Sequence, residues 1–274
     1  MNVGVVYHCL DTIKTHPYGN DSKAVTDQPD IYTKGFVEST IHSIQSLRAV
    51  SKLPVTVFTN VPKRFENIDC NVRLTYPIYK SAVDKLILPV RSPYDTTIQL
   101  DGDTRVLSDP IELVNPKLDF QACREMHAVP KEKTVLGFAQ SVNTGVMVYN
   151  NSPIMTDFWT ACYQFAAGLK HENRQDKQIY KVHIRNGSDQ SITNLHLSFK
   201  RYENIRMSIL PCKWNVRAVL NKFISNKKIL HQRGLWCKEQ TKAVLEKFND
   251  WEFAPINLLE LNTSSENNSQ RDIS

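Results

Sequence analysis

The chain has 274 residues, 41% of them hydrophobic and 23% charged, proportions near globular averages that exclude a wholly disordered, collagenous or coiled-coil protein. No apolar run reaches the roughly 18 residues of a membrane-spanning helix, and the first strand-like segment begins almost at Met1, leaving no room for a signal peptide; a soluble, cytoplasmic chain is expected. The net charge of +6 is uneven, with twelve Lys or Arg against three Glu between Lys200 and Lys247, and such a stretch attracts phosphates in a nucleotide, a nucleic acid or a membrane surface.

In chain order, Val3 to Cys9 is a near-continuous apolar segment of the kind a buried parallel strand requires. A polar loop with Pro17, Gly19, Asn20 and Pro29 follows. Apolar residues then recur at helical spacing from Phe36 to Val50, and Val55 to Thr59 reads as a strand after Pro54, completing a βαβ unit. Val72 to Thr75 reads as a strand, Ser81 to Leu88 as a short helix, and Thr96 to Leu100 as a strand that stops on Asp101-Gly102-Asp103. Ser141 to Asn150 is a further strand. Ser152 and Pro153 cap and open a helix that stops at Gly168. Ser188 can cap a short helix carrying Asp189 and Gln190, strands follow at Met207 to Leu210 and Lys228 to His231, and a helix at about Glu239 to Phe248. Residues 262–274 are polar and expected to be disordered. Strands alternating with helices predict an α/β fold with a largely parallel sheet covered on both faces.

Asp101 and Asp103, two apart on an extended segment, point the same way and can share one hard divalent cation. Gly102 between them lets a ligand approach the backbone. Open α/β sheets bind ligands beyond the carboxyl ends of their strands, where this pair falls; the same spacing also occurs in turns and helix caps. The six cysteines, Cys9, Cys70, Cys123, Cys162, Cys212 and Cys237, lack C-x-x-C spacing, so buried thiols are expected rather than a zinc site or redox dithiol. Sequons at Asn150, Asn186, Asn262 and Asn267 carry no weight in a cytoplasmic chain.

Five segments occur in order: Ser92 to Thr104 with the Asp pair, Asn143-Thr144-Gly145 to Asn150, Asp189-Gln190, Leu210-Pro211-Cys212-Lys213-Trp214-Asn215, and Ile229-Leu230-His231-Gln232-Arg233-Gly234. Together they resemble GT-A-fold nucleotide-sugar glycosyltransferases, most of all family eight, the glycogenin and lipopolysaccharide galactosyltransferase group, from residue 3 to about residue 240. The resemblance implies a single GT-A domain over residues 1–261, Rossmann-like, with a nucleotide-binding part over about 1–105 and a sugar and acceptor part over about 106–261. It implies Asp101, Asp103 and His231 as ligands of Mn²⁺ or Mg²⁺, with an imidazole favouring Mn²⁺. Gly234 and Lys238 match positions on the donor diphosphate, Lys238 one residue further from the histidine than the family pattern, and Lys85 falls near a basic donor-binding residue. Val6, Tyr7 and Cys9 would line the base pocket, and Asn143, Asp189 and Gln190 would surround the donor sugar.

The implied reaction moves a sugar from a nucleoside-diphosphate donor, with UDP the most frequent base, to a glycan, glycolipid or protein acceptor. The leaving diphosphate gains negative charge that a divalent ion and nearby cations offset without a proton donor. Retention is weakly favoured over inversion, for which Asp189 or Glu125 would have to act as base. Three other readings compete. A phosphatase with a D-x-D nucleophile usually has Thr or Val where Arg105 stands; a sugar-nucleotide pyrophosphorylase needs a glycine-rich loop where the chain reads Cys9 to Lys14; a nucleic-acid module using the basic stretch, Tyr202 and Trp214 leaves the Asp pair without a role. A degenerate transferase that binds sugar nucleotide without turnover is the non-enzymatic version. Peripheral membrane contact through the basic third stays open.

Overall fold

In the computed structural model, residues 1–10, 36–76, 82–124, 142–171, 189–217 and 226–231 are described. Val3–Cys9 (β1) is apolar almost throughout because it has a neighbour on each side: it pairs in parallel with Val55–Thr59 (β2) and with Thr96–Leu100 (β4). The edge strand Asn71–Leu74 (β3) extends β2 and is largely exposed, as its polar composition requires. On the other side β4 meets Val142–Asn150 (β7), which runs antiparallel to it and to Phe120–Arg124 (β6), and β6 pairs in parallel with Met207–Leu210 (β8). The seven strands lie in the order β3-β2-β1-β4-β7-β6-β8, a mostly parallel sheet with β7 reversed. Thr104–Val106 (β5), Val216–Arg217 (β9) and Ile229–His231 (β10) form a second, three-stranded sheet with β10 in the middle.

Alternation along β1 divides the core. Val5, Tyr7 and Cys9 join Val37, Ile44 and Leu47 of the helix Phe36–Arg48 (α1) on one face. Val6 packs with Phe58, Leu88 and Tyr94 on the other. That second face continues into an aromatic cluster in which Phe120 and Tyr149 of the sheet meet Phe158 and Trp159 of the helix Pro153–His171 (α3), with Ile192 of Asp189–Leu197 (α4) beside them. The link before β4 is a 3₁₀ turn, Ala82–Ile87, running into the short helix Leu88–Arg91 (α2), where the sequence predicts one short helix.

Three local expectations change. The α3 helix continues through Gly168 to His171. Its start is not capped by the Ser152 hydroxyl, which is buried and has no hydrogen-bond partner among the described residues; the Asn150 Oδ1 atom accepts from Ser152 N at 3.1 Å instead, closing an Asx turn. Strands β5, β6 and β9 were not readable, being short or, in Phe120–Arg124, free of β-branched residues and held by β7 and β8. The expected helix at 239–248, the tail at 262–274, Glu125, Gly234 and Lys238 lie outside the described residues. Among the described residues, no helix is long and apolar enough to cross a membrane, and the five cysteines present are thiols.

Candidate active site

The carboxyl ends of β1 and β4 diverge toward different partners, β2 on one side and β7 on the other, and the crevice at such a switch is where an open sheet binds ligands. Reversal of β7 brings its first residues to the same edge: Asp101 N donates to Gly145 O at 2.9 Å. The chain leaves β4 through Asp101-Gly102-Asp103 and enters β5, so this turn joins the two sheets. It is a turn rather than the extended segment expected, closed by Thr104 N and Thr104 Oγ1 on the Asp101 carbonyl at 3.2 and 2.8 Å. Antiparallel pairing then sets His231 of β10 opposite Thr104, beside Asp103.

Three of the residues the sequence singles out converge here. His231 Nε2 lies 3.2 Å from Asp103 Oδ1 and 3.6 Å from Asp101 Oδ2. The three ligand atoms all fall within 4.8 Å of one another, and atoms bound about 2.1 Å from one ion lie roughly 3 to 4 Å apart. Lys85, which a helix-surface reading would expose, is only 8% exposed. Its Nζ sits 2.6 Å from Asp101 Oδ1 and 2.7 Å from Asp189 Oδ2. Burial alone would lower the Lys85 pKa, but the two carboxylates outweigh it and hold the ammonium charged, well above its usual range. Lys85 thus bridges Asp101 and Asp189, while Asp103 faces the His231 ring. Two carboxylates and an imidazole within reach of one point make a donor set that fits Mn²⁺ or Mg²⁺.

Asp189 and Gln190 open α4 at the rim of this cluster. Thr144 Oγ1 donates to Asp189 Oδ2 at 2.7 Å, and Asn143 Nδ2 donates to Gln190 Oε1 at 2.9 Å. Burial drives the His8 pKa down to about 3, with the Lys85 charge adding to the effect, so His8 is a neutral wall of the site. Thr144, His8 and Asn215 carry no role in the sequence reading; Thr144 and Asn215 lie within quoted segments, and only their partners across the fold reveal their use.

Other expected site residues are buried in the fold. Val6 and Tyr7 have no exposed surface: Val6 is core, and Tyr7 Oη, Ser43 Oγ and Thr104 Oγ1 form a hydroxyl chain with 3.0 and 2.7 Å links. Cys9 is likewise buried at the end of β1. At Gly102 the space a Cβ would fill is taken by α1, with Thr40 Oγ1 2.2 Å away, so helix packing demands the glycine there. In the basic third, Arg206 pairs with Asp119, Lys228 with Glu112, and the Arg201 guanidinium with the Tyr202 ring and hydroxyl. Among the described residues, the cation at the cluster is Lys85, far upstream in the sequence.

A mostly parallel sheet with an acidic turn at the carboxyl edge of its central strands, and a small sheet folded over that turn, defines the GT-A fold. Among solved structures, the chain is similar to the galactosyltransferase LgtC in complex with donor and acceptor sugar analogues, at a TM-score of 0.57 and 12% identity over 92% of this chain and 97% of that one. It is similar also to the apo structure of WbbM, a bifunctional glycosyltransferase, at a TM-score of 0.52 and 15% identity over 89% of this chain and 49% of that one, so it spans about half of WbbM. No protein-family model and no curated protein sequence matches the chain.

Proposed function

We propose that the chain is a metal-dependent glycosyltransferase that moves a sugar from a nucleoside-diphosphate sugar, UDP being the favoured base, to a glycan, glycolipid or protein acceptor. The observation that carries this reading is the convergence of Asp101, Asp103 and His231 beside the buried Lys85–Asp189 pair. The solved LgtC complex with donor and acceptor sugar analogues has the same fold. A divalent ion held by Asp101, Asp103 and His231 supplies Lewis-acid stabilisation of the leaving diphosphate. Lys85 adds a fixed positive charge within reach of the same anion, in a site dry enough for that charge to act strongly. Gly234 and Lys238 belong to the diphosphate side of the site in this reading, and Asn143, Asp189 and Gln190 to the donor sugar.

The Asp189 environment supports retention. A general base for inversion needs a lone pair aimed at the acceptor hydroxyl, whereas Asp189 Oδ2 accepts from both Lys85 Nζ and Thr144 Oγ1. A carboxylate oxygen that already holds two donors is suited to steady a sugar or an oxocarbenium-like centre rather than to aim at an acceptor hydroxyl.

The test is calorimetric titration of a panel of nucleoside diphosphates and sugar nucleotides in Mn²⁺ and in EDTA, followed by donor hydrolysis. The expected result is one base bound only with metal, and loss of both binding and turnover in Asp103→Asn with the fold retained. Equal binding in EDTA, or full activity in Asp103→Asn, removes the metal-dependent reading. Binding without hydrolysis or transfer identifies a degenerate transferase.

A further inference from the structure

We propose that Asn215, itself fixed by Asn143, is a positioning residue that locks His231 in the tautomer whose Nε2 lone pair faces Asp101 and Asp103. The inference rests on the metal reading above and names how this chain presents its imidazole ligand.

The argument begins at a backbone amide, whose role as donor has no alternative. Gly145 N–H donates to Asn143 Oδ1 at 2.9 Å, which settles which end of the Asn143 amide is oxygen. The Asn215 atom 2.7 Å from that oxygen must then be its amide nitrogen, Nδ2. Asn215 therefore turns its Oδ1 toward His231 Nδ1, 2.9 Å away. An amide oxygen only accepts, so Nδ1 carries the hydrogen, and in the neutral ring Nε2 keeps its lone pair. That lone pair faces two carboxylate oxygens, at 3.2 and 3.6 Å. A divalent ion set between that lone pair and the carboxylates satisfies all three acceptors at once, which is how a metal-binding histidine is held.

Burial makes the order of the relay persistent. Asn143, Asn215 and His231 are 2%, 3% and 4% exposed, so flipping either amide would set oxygen against oxygen or leave the Gly145 N–H without its acceptor, away from water. The Asn143 Nδ2 atom continues the chain to Gln190 Oε1. One line of hydrogen bonds thus connects the imidazole to the start of α4. It runs between elements remote in sequence, the start of β7 and the segment before β9, which explains why neither asparagine betrays this role in the linear sequence.

The experiment compares wild type, Asn215→Leu, which has similar volume but no acceptor, and Asn215→Asp, which keeps an acceptor for Nδ1–H. Two readouts are used: Mn²⁺ affinity by calorimetry, and the His231 tautomer by ¹⁵N NMR of the metal-free protein at a pH where the ring is neutral. Wild type should show the Nδ1–H tautomer. Asn215→Leu should lose about 10- to 100-fold in Mn²⁺ affinity, the effect typical of a lost partner behind a metal ligand, and Asn215→Asp, which keeps the acceptor but loses the donor to Asn143 Oδ1, should recover part of it. An Nε2–H tautomer in wild type, or unchanged Mn²⁺ affinity in a folded Asn215→Leu, overturns the proposal while leaving the metal site in place. If Asn215→Leu does not fold, the wild-type tautomer decides: Nδ1–H supports the relay, and Nε2–H overturns it. A wild type that takes up no Mn²⁺ overturns the metal reading itself, and the proposal with it.

Discussion

A Cβ built on Gly145 would stand 2.4 Å from His231 Cε1, 2.6 Å from Nδ1 and 2.9 Å from Asn143 Oδ1. The glycine is required by the close approach of the imidazole to the β7 backbone. Because Asn215 holds the ring, Gly145→Ala cannot be absorbed by a free swing of the side chain. The expected outcome is a loss of about 1–3 kcal/mol of stability, the usual cost of overpacking, together with at least a tenfold loss of Mn²⁺ affinity. Urea unfolding and a calorimetric Mn²⁺ titration check this, and full affinity in the alanine variant would show that the ring has room the structure does not reveal. At this scale the sequence was readable where chemistry is local. Asp101 and Asp103 are two apart and follow a recognisable strand, and their carboxylates do meet at His231. Thr144, His8 and Asn215 were not readable as site residues, because what makes them so is a contact 45 residues away, a buried neighbour, or a ring 16 residues downstream.

Among the elements, the pairing of β6 with β7 and β8 is fastened by one carboxylate. Asp119, just before β6, accepts from Arg206 N at 3.0 Å, from Arg206 Nε at 2.9 Å and Nη2 at 2.8 Å, and from Asn150 Nδ2 at 3.0 Å. It therefore ties the entry of β8 and the end of β7 to the start of β6. The Arg206 hydrogen bonds hold its pKa down at about 2 against an ordinary 3.8. A depressed carboxylate contributes stability that is complete above about pH 4 and is lost as pH falls through the folded value near 2, where the unfolded chain already carries the proton. Asp119→Asn should therefore cost on the order of 1 kcal/mol at neutral pH, discounted because the guanidinium is half exposed, and the gap to wild type should close as pH approaches 2. Urea unfolding at pH 7 and pH 3 measures it; a gap independent of pH would assign the cost to hydrogen-bond geometry instead. Element by element, β1, α1, β2 and β4 were legible because each carries its own apolar period. By contrast, β5, β6 and β9 take their strand conformation from partners distant in sequence, so no local pattern announces them.

For the molecule as a whole, the acidic turn is the seam between two sheets. Asp101 follows β4 of the large sheet, Asp103 precedes β5 of the small one, and His231 ends β10, so the three groups draw on both sheets. The Asp101 and Asp103 carboxylates lie close enough at this seam to repel one another, while the Lys85 ammonium holds Asp101 and Asp189. A divalent ion binding there removes that repulsion and joins the sheets, and it stabilises only the folded chain, since the unfolded chain does not hold the three ligands together. At a hundred times its dissociation constant such a ligand adds about 2.7 kcal/mol, which for a chain of this size corresponds to a rise of roughly 5 to 10 °C in Tm. EDTA should reverse the rise. Hydrogen exchange locates the effect: amides of β5 and β10 should gain the most protection with Mn²⁺, and α3, on the far face of the sheet, the least. A Tm increase with protection spread evenly over the chain would place the ion elsewhere, and no increase at saturating Mn²⁺ would mean that the carboxylate cluster is stabilised by protein groups alone.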